Sequence, residues 1–154
     1  MSISKDFQDN FIDLMKRDFG EINKKQAYIA KQLNITYTTF SKMYNYGILP
    51  SVQILIRLAD FFNVSVEYLL GNTENESIEK AKAPSTFQTR LQELKEEKQI
   101  ASIFELGERV HIHRNNIAQW LHKNYIPNLD DLILLADFFD VSIDYLLGRT
   151  DYKD

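Results

Sequence analysis

The 154-residue chain contains no cysteine, only five glycines, three prolines and one tryptophan, and no long apolar run. Without cysteine there is no disulfide, no thiol nucleophile and no cysteine-ligated zinc, which removes the small secreted, thiol-enzyme and zinc-finger classes and leaves the cytoplasm as the expected compartment. So few glycines and prolines cannot supply the closely spaced turns of an all-β sandwich, so a mostly helical protein is expected. No stretch is long or apolar enough to span a bilayer, and no membrane partner is expected. The opening MSISKDFQDN is polar and acidic where a signal peptide needs a basic start and an apolar core. Neither a Gly-x-x-x-x-Gly-Lys-Ser/Thr phosphate loop nor a Gly-x-Ser-x-Gly elbow occurs, and the reading is that the chain is not an enzyme and takes no cofactor, metal or small-molecule substrate. The composition, 44% hydrophobic and 26% charged, is that of a globular chain. Its net charge of −4, taken as an average, argues against nucleic acid as a partner.

The average conceals a duplication. PSVQILIRLADFFNVSVEYLLGNTE from Pro50 reappears as PNLDDLILLADFFDVSIDYLLGRTD from Pro127, with 15 identities in 25 ungapped positions at an offset of 77. The same offset pairs Leu33 with Val110, Ile35 with Ile112, Phe40 with Ile117 and Met43 with Trp120, so the apolar pattern extends upstream. Phe7-Gln8 matches Phe87-Gln88 at an offset of 80, which places three extra residues in the first copy around 19–23 and predicts a longer loop there. The expected organisation is a first domain at 1–74, a polar linker at 75–84 with room for a short helix, and a second domain at 85–154. Apolar residues at i, i+3, i+4 and i+7 (Leu55, Leu58, Ala59, Phe62 and their counterparts Leu132, Leu135, Ala136, Phe139) mark an amphipathic fourth helix in each. Ser51 and Asn128 are its expected N-caps, and Ser65 and Ser142 begin a short fifth helix that stops at Gly71 and Gly148.

Between the first and fourth helices lies KKQAYIAKQLNITYTTFSKMYNYGILPS, which reads as two brief helices, 26–33 and 36–45, around a tight turn. Gln26, Ile29, Ala30, Leu33, Ile35, Thr36, Thr39, Phe40 and Ser41 fall in order on the pattern of the Xre/Cro-type helix-turn-helix family, and the tail VSVEYLLGNTE resembles that family's ending. The resemblance implies an all-α chain of two tandem five-helix, lambda repressor-like domains. It also implies binding to double-stranded DNA, with the second helix of each pair in the major groove. Three positions depart from the pattern: Asn34 and His111 stand where the turn glycine is usual, and Ile103 stands where the glutamine is usual. Asparagine and histidine tolerate positive φ better than most residues, so the turn is expected to survive.

Charge supports a nucleic-acid partner locally. Between Ile22 and Ala59 there are five basic residues (Lys24, Lys25, Lys31, Lys42, Arg57) and no Asp or Glu, so the first unit is expected to supply most of the salt-dependent binding. Following the resemblance, the residues facing base edges are Gln26, Tyr37, Thr38 and Lys42 in the first unit and Arg114, Asn115 and Gln119 in the second. Gln and Asn suit adenine, Arg suits guanine, and Lys suits guanine or phosphate. Lys24, Lys25, Asn45, Tyr46 and Lys123 are the expected phosphate contacts. His111, His113 and His122 have no carboxylate at a recognised metal-binding spacing and point to backbone or phosphate contact. The function implied is a sequence-specific, repressor-like transcriptional regulator. Single heads read few base pairs, so two are needed, supplied by one chain or by a homodimer. Ile103, Glu105 and Glu108 keep an alternative open, in which one unit reads DNA and the second serves dimerisation or protein interaction, as in an antitoxin-like or phage-control adaptor.

Overall fold

The computed structural model describes residues 3–83 and 85–154; Met1, Ser2 and Pro84, the last residue of the expected linker, lie outside them. Among the described residues the chain is all-helical, with ten helices, no strand and an isolated antiparallel bridge between Lys80 and Thr150. It divides into two compact units, Met1–Ile78 and Glu79–Asp154. The first holds α1 (Ile3–Phe19), α2 (Gln26–Gln32), α3 (Tyr37–Tyr46), α4 (Val52–Phe62) and α5 (Val66–Leu69). The second holds α6 (Phe87–Glu97), α7 (Ile103–Val110), α8 (Arg114–Lys123), α9 (Leu129–Phe139) and α10 (Ile143–Leu146). No helix among the described residues is long and apolar enough to cross a membrane.

Side-chain caps set most of the helix starts. Ser51 accepts from the Ile54 N–H, Asn128 from Asp131, Ser65 from Tyr68 and Ser142 from Tyr145, so one of the unpaired first-turn donors of each helix is satisfied locally. At the other end, Gly71 and Gly148 take φ of 80° and 76°, the left-handed conformation that stops α5 and α10.

The amphipathic stripes face inward as the spacing predicts. Leu55, Leu58, Ala59 and Phe62 are buried in the first unit, and Leu132, Leu135, Ala136 and Phe139 in the second. Phe7 and Phe11 stack at 5.6 Å in the first core, and Phe11 meets Phe40 of α3 edge-on at 6.1 Å. In the second core Trp120 takes Met43's place and packs edge-on against Phe87 at 5.9 Å. These contacts seat α3 and α8 on α1 and α6, leaving the opposite faces of α3 and α8 to solvent.

Two features differ from expectation. Of the three extra residues in the first copy, two lengthen α1 and one lengthens the loop after it: α1 runs to Phe19, whereas α6 stops at Glu97, the counterpart of position 17. The longer helix carries Phe19 onto Phe61, where the rings stack at 5.9 Å, and against Tyr28 at 6.4 Å. In the second unit Phe138, the counterpart of Phe61, is covered instead by the cations of Lys98 (4.8 Å) and Arg109 (5.2 Å). The second difference is in the polar stretch 72–83, which forms no helix and is shared between the units. In the first unit the Ser65 N–H donates to the Glu76 carbonyl at 3.1 Å, and Arg17 pairs with the Glu76 carboxylate at 2.6 Å. In the second the Thr150 hydroxyl donates to the Glu79 carbonyl at 2.7 Å and the Lys82 N–H to Asp151 at 3.0 Å.

The duplication therefore runs on into the two tails. At the same offset of 77, the Ser142 N–H donates to the Lys153 carbonyl at 2.6 Å, and Lys153 pairs with Glu97 at 2.8 Å. The ion pair is kept and its polarity is reversed: Arg17 with Glu76 in one unit, Glu97 with Lys153 in the other.

Candidate nucleic-acid interface

In each unit the second and third helices meet at a turn of three or four residues. Asn34 and His111 take φ of 57° and 60°, the left-handed conformation that lets the chain reverse between the helices. The Ile35 N–H then donates to the Ala30 carbonyl and the Ile112 N–H to the Gly107 carbonyl, both at 3.0 Å. A Cβ on Gly107 would stand 2.4 Å from the Ile112 carbonyl oxygen, so the second turn closes more tightly than a side chain there allows. In the first unit Arg57 donates to the Asn34 carbonyl at 2.6 Å, so this cation of the acid-free window pins the turn.

α3 and α8 are fixed at both ends. Thr36 caps α3 by accepting from the Thr39 N–H at 3.1 Å. At the matching position His113 caps α8 through Nδ1, which accepts from the Asn115 N–H at 3.1 Å. Both turn histidines thus have backbone roles. At the far ends, Gln8 donates to the Tyr44 carbonyl at 2.9 Å, and Gln88 donates to the Trp120 and Tyr125 carbonyls, each at 3.1 Å. These two glutamines clamp the ends of α3 and α8. Sequence reasoning gave them no role, although their signal was present in the repeated Phe-Gln pair.

Gln26 opens α2 and is half-buried; Tyr37 and Thr38 open α3, and Lys42 follows on the same helix, all three exposed. The Tyr37 hydroxyl donates to Gln26 Oε1 at 3.4 Å, so these two are brought together. Arg114 and Asn115 open α8 and Gln119 lies further along it, all exposed. The Arg114 guanidinium carbon sits 5.6 Å from the centre of the Phe104 ring, a residue on α7 that the sequence pattern did not single out. Among the expected phosphate contacts, Lys25 donates to the Phe19 carbonyl at 3.2 Å and Asn45 to Ser41 at 3.0 Å, so both are partly held by their own chain. Lys24 lies 3.9 Å from Glu21 at an open surface, where such a pair holds it weakly. Tyr46, 74% exposed, follows Asn45 at the end of α3, and Lys123 ends α8 in solvent. Lys31 and Lys42 are exposed, with no ion pair among the described residues.

Electrostatics favour the second unit more than its net charge suggests. From Arg109 to Leu129 there is no Asp or Glu, while Arg109, Arg114 and Lys123 are present. Glu105 has a structural role: its carboxylate accepts the Ala101 N–H at 2.9 Å while Ser102 accepts the Glu105 N–H at 3.1 Å, a reciprocal cap at the start of α7. Lys25 at the N-cap of α2 makes no side-chain cap.

Comparison with known proteins agrees with this geometry. Residues 92–146, from within α6 to the end of α10, match the helix-turn-helix family profile. Over 65 residues the chain is 34% identical to an uncharacterized HTH-type transcriptional regulator, YobD, of Bacillus subtilis (strain 168). That alignment covers 42% of this chain and 57% of the relative, so the chain spans little more than half of the relative's length. No solved structure was found to match the chain. The family match falls on the second unit, the one in which Ile103, Glu105 and Glu108 depart from a basic reading head.

Proposed function

We propose that the chain is a cytoplasmic, sequence-specific regulator of transcription that binds double-stranded DNA through α3 and α8, each laid in a major groove. The observation that carries this reading is α8. It is the second helix of a turn within the matched helix-turn-helix region, capped at His113, clamped at its end by Gln88, and presents Arg114, Asn115 and Gln119 to solvent in a stretch free of acids. Those three side chains carry the donors and acceptors that recognise guanine and adenine edges. In the first unit Gln26, Tyr37, Thr38 and Lys42 occupy the corresponding surface, with Lys24, Lys25, Asn45, Tyr46 and, in the second unit, Lys123 as phosphate contacts that set position rather than sequence. The mode of action that follows is repressor-like occlusion. One chain supplies two unlike heads, so its two half-sites differ in sequence.

In vitro selection with the full chain against a random duplex pool at near-physiological salt tests this. Two unlike motifs at a fixed spacing are expected. A single palindrome would mean that a homodimer uses one head and that the other unit serves assembly. No enrichment would overturn DNA reading altogether.

A further inference from the structure

In both units the first residue of the exposed third helix is tethered to the start of the helix before it. In the first unit the tether is a hydrogen bond, Tyr37 hydroxyl to Gln26. In the second unit Ile103 replaces the glutamine and Arg114 replaces the tyrosine, so that hydrogen bond has no equivalent, and a different contact stands in its place. The Arg114 guanidinium lies 5.6 Å from the centre of the Phe104 ring, within the range at which a cation is held over an aromatic face. Phe104 is 53% exposed, and Ala27 occupies its position in the first unit, so a ring this open at the start of α7 contributes little to the core. No carboxylate pairs with Arg114 among the described residues, and the Phe104 ring is the aromatic neighbour of its guanidinium. An arginine fixed in this way loses less rotamer freedom when it makes two parallel hydrogen bonds to a guanine.

We infer that Phe104 is a positioning residue for base recognition by the second unit: it pre-orients Arg114 toward a guanine edge and so sharpens specificity at one base pair. The inference rests on the proposal that α8 reads DNA, and the experiment separates the two. Selection and competition binding are run with the full chain as wild type, Arg114→Ala, Phe104→Ala and Phe104→Tyr, alongside thermal unfolding of each. Arg114→Ala is expected to abolish the guanine preference at one position. Phe104→Ala is expected to weaken the preference at that same position by about two- to fivefold, with affinity for random duplex and the unfolding midpoint unchanged. Phe104→Tyr, which keeps the aromatic face, is expected to restore it.

If Phe104→Ala leaves that position unchanged while Arg114→Ala alters it, Phe104 has no positioning role. A change at a different position would mean that the ring reads a base directly, and an equal loss at every position would mean that it only supports the fold; either overturns the inference. If Arg114→Ala changes no base preference although the chain binds a specific site, the second unit is not a reading head, and that earlier proposal fails first.

Discussion

A branched side chain forced into the left-handed region crowds its own backbone, at a cost of about 1–2 kcal/mol. Asn34 and His111 occupy that region at the turns between α2 and α3 and between α7 and α8, with φ of 57° and 60°. His111→Val is therefore expected to lower the stability of the second unit by about 1–2 kcal/mol, while His111→Gly changes it by less; urea unfolding of both variants checks this. The role of His111 follows from its place in the pattern, because the position wants positive φ and histidine tolerates it. Phe104 has no such signal. It stands one residue after a departure from the family pattern, and only the fold brings its ring to Arg114. His113 is intermediate: its position calls for a helix cap, but histidine is an uncommon one, and its counterpart Thr36 is the informative copy.

The starts of the fourth and fifth helices, the apolar stripes and the stops at glycine were legible because each depends on residues close in the chain. The tails were not, because their ion pairs join residues 59 and 56 apart and their sequence is merely polar. Glu76 and Lys153 look like linker and terminus, yet each accepts a serine N–H through its carbonyl and pairs with the end of its unit's first helix. Both ion pairs are exposed, which limits each to at most about 1 kcal/mol. Glu76→Lys is expected to destabilise the first unit by about that amount, and adding Arg17→Glu, which installs the polarity of the other unit, is expected to recover it. A double-mutant cycle by urea unfolding measures both steps. The second tail is also tied at Asp151, whose carboxyl is held below its ordinary value by the hydrogen bond from the Lys82 N–H and by Arg90. A lowered carboxyl pKa means that this tie is complete above the ordinary aspartate value of about 4 and is lost as pH falls through the lower folded value. The Lys82 amide resonance is expected to titrate with a midpoint below about 4, and Asp151→Asn to remove that titration.

For the chain entire, the net charge hides an uneven spread of acids along the sequence. The windows Ile22 to Ala59 and Arg109 to Leu129 contain no Asp or Glu, although the sum over 154 residues is −4. If Lys31 and Lys42 neutralise phosphates, Lys31→Ala and Lys42→Ala are each expected to reduce the slope of log affinity against log salt by about 1. Base preference should survive Lys31→Ala, and titration over a salt series with specific and random duplexes separates the two effects. Two similar folding units in one chain also create a hazard, because a tail from either copy carries the backbone groups that satisfy the serine N–H of the other. The reversed polarity of the ion pairs counters this. Exchanged tails would set Lys153 against Arg17 and Glu76 against Glu97, like against like on both sides, so each tail identifies its own unit while the chain is still sorting itself.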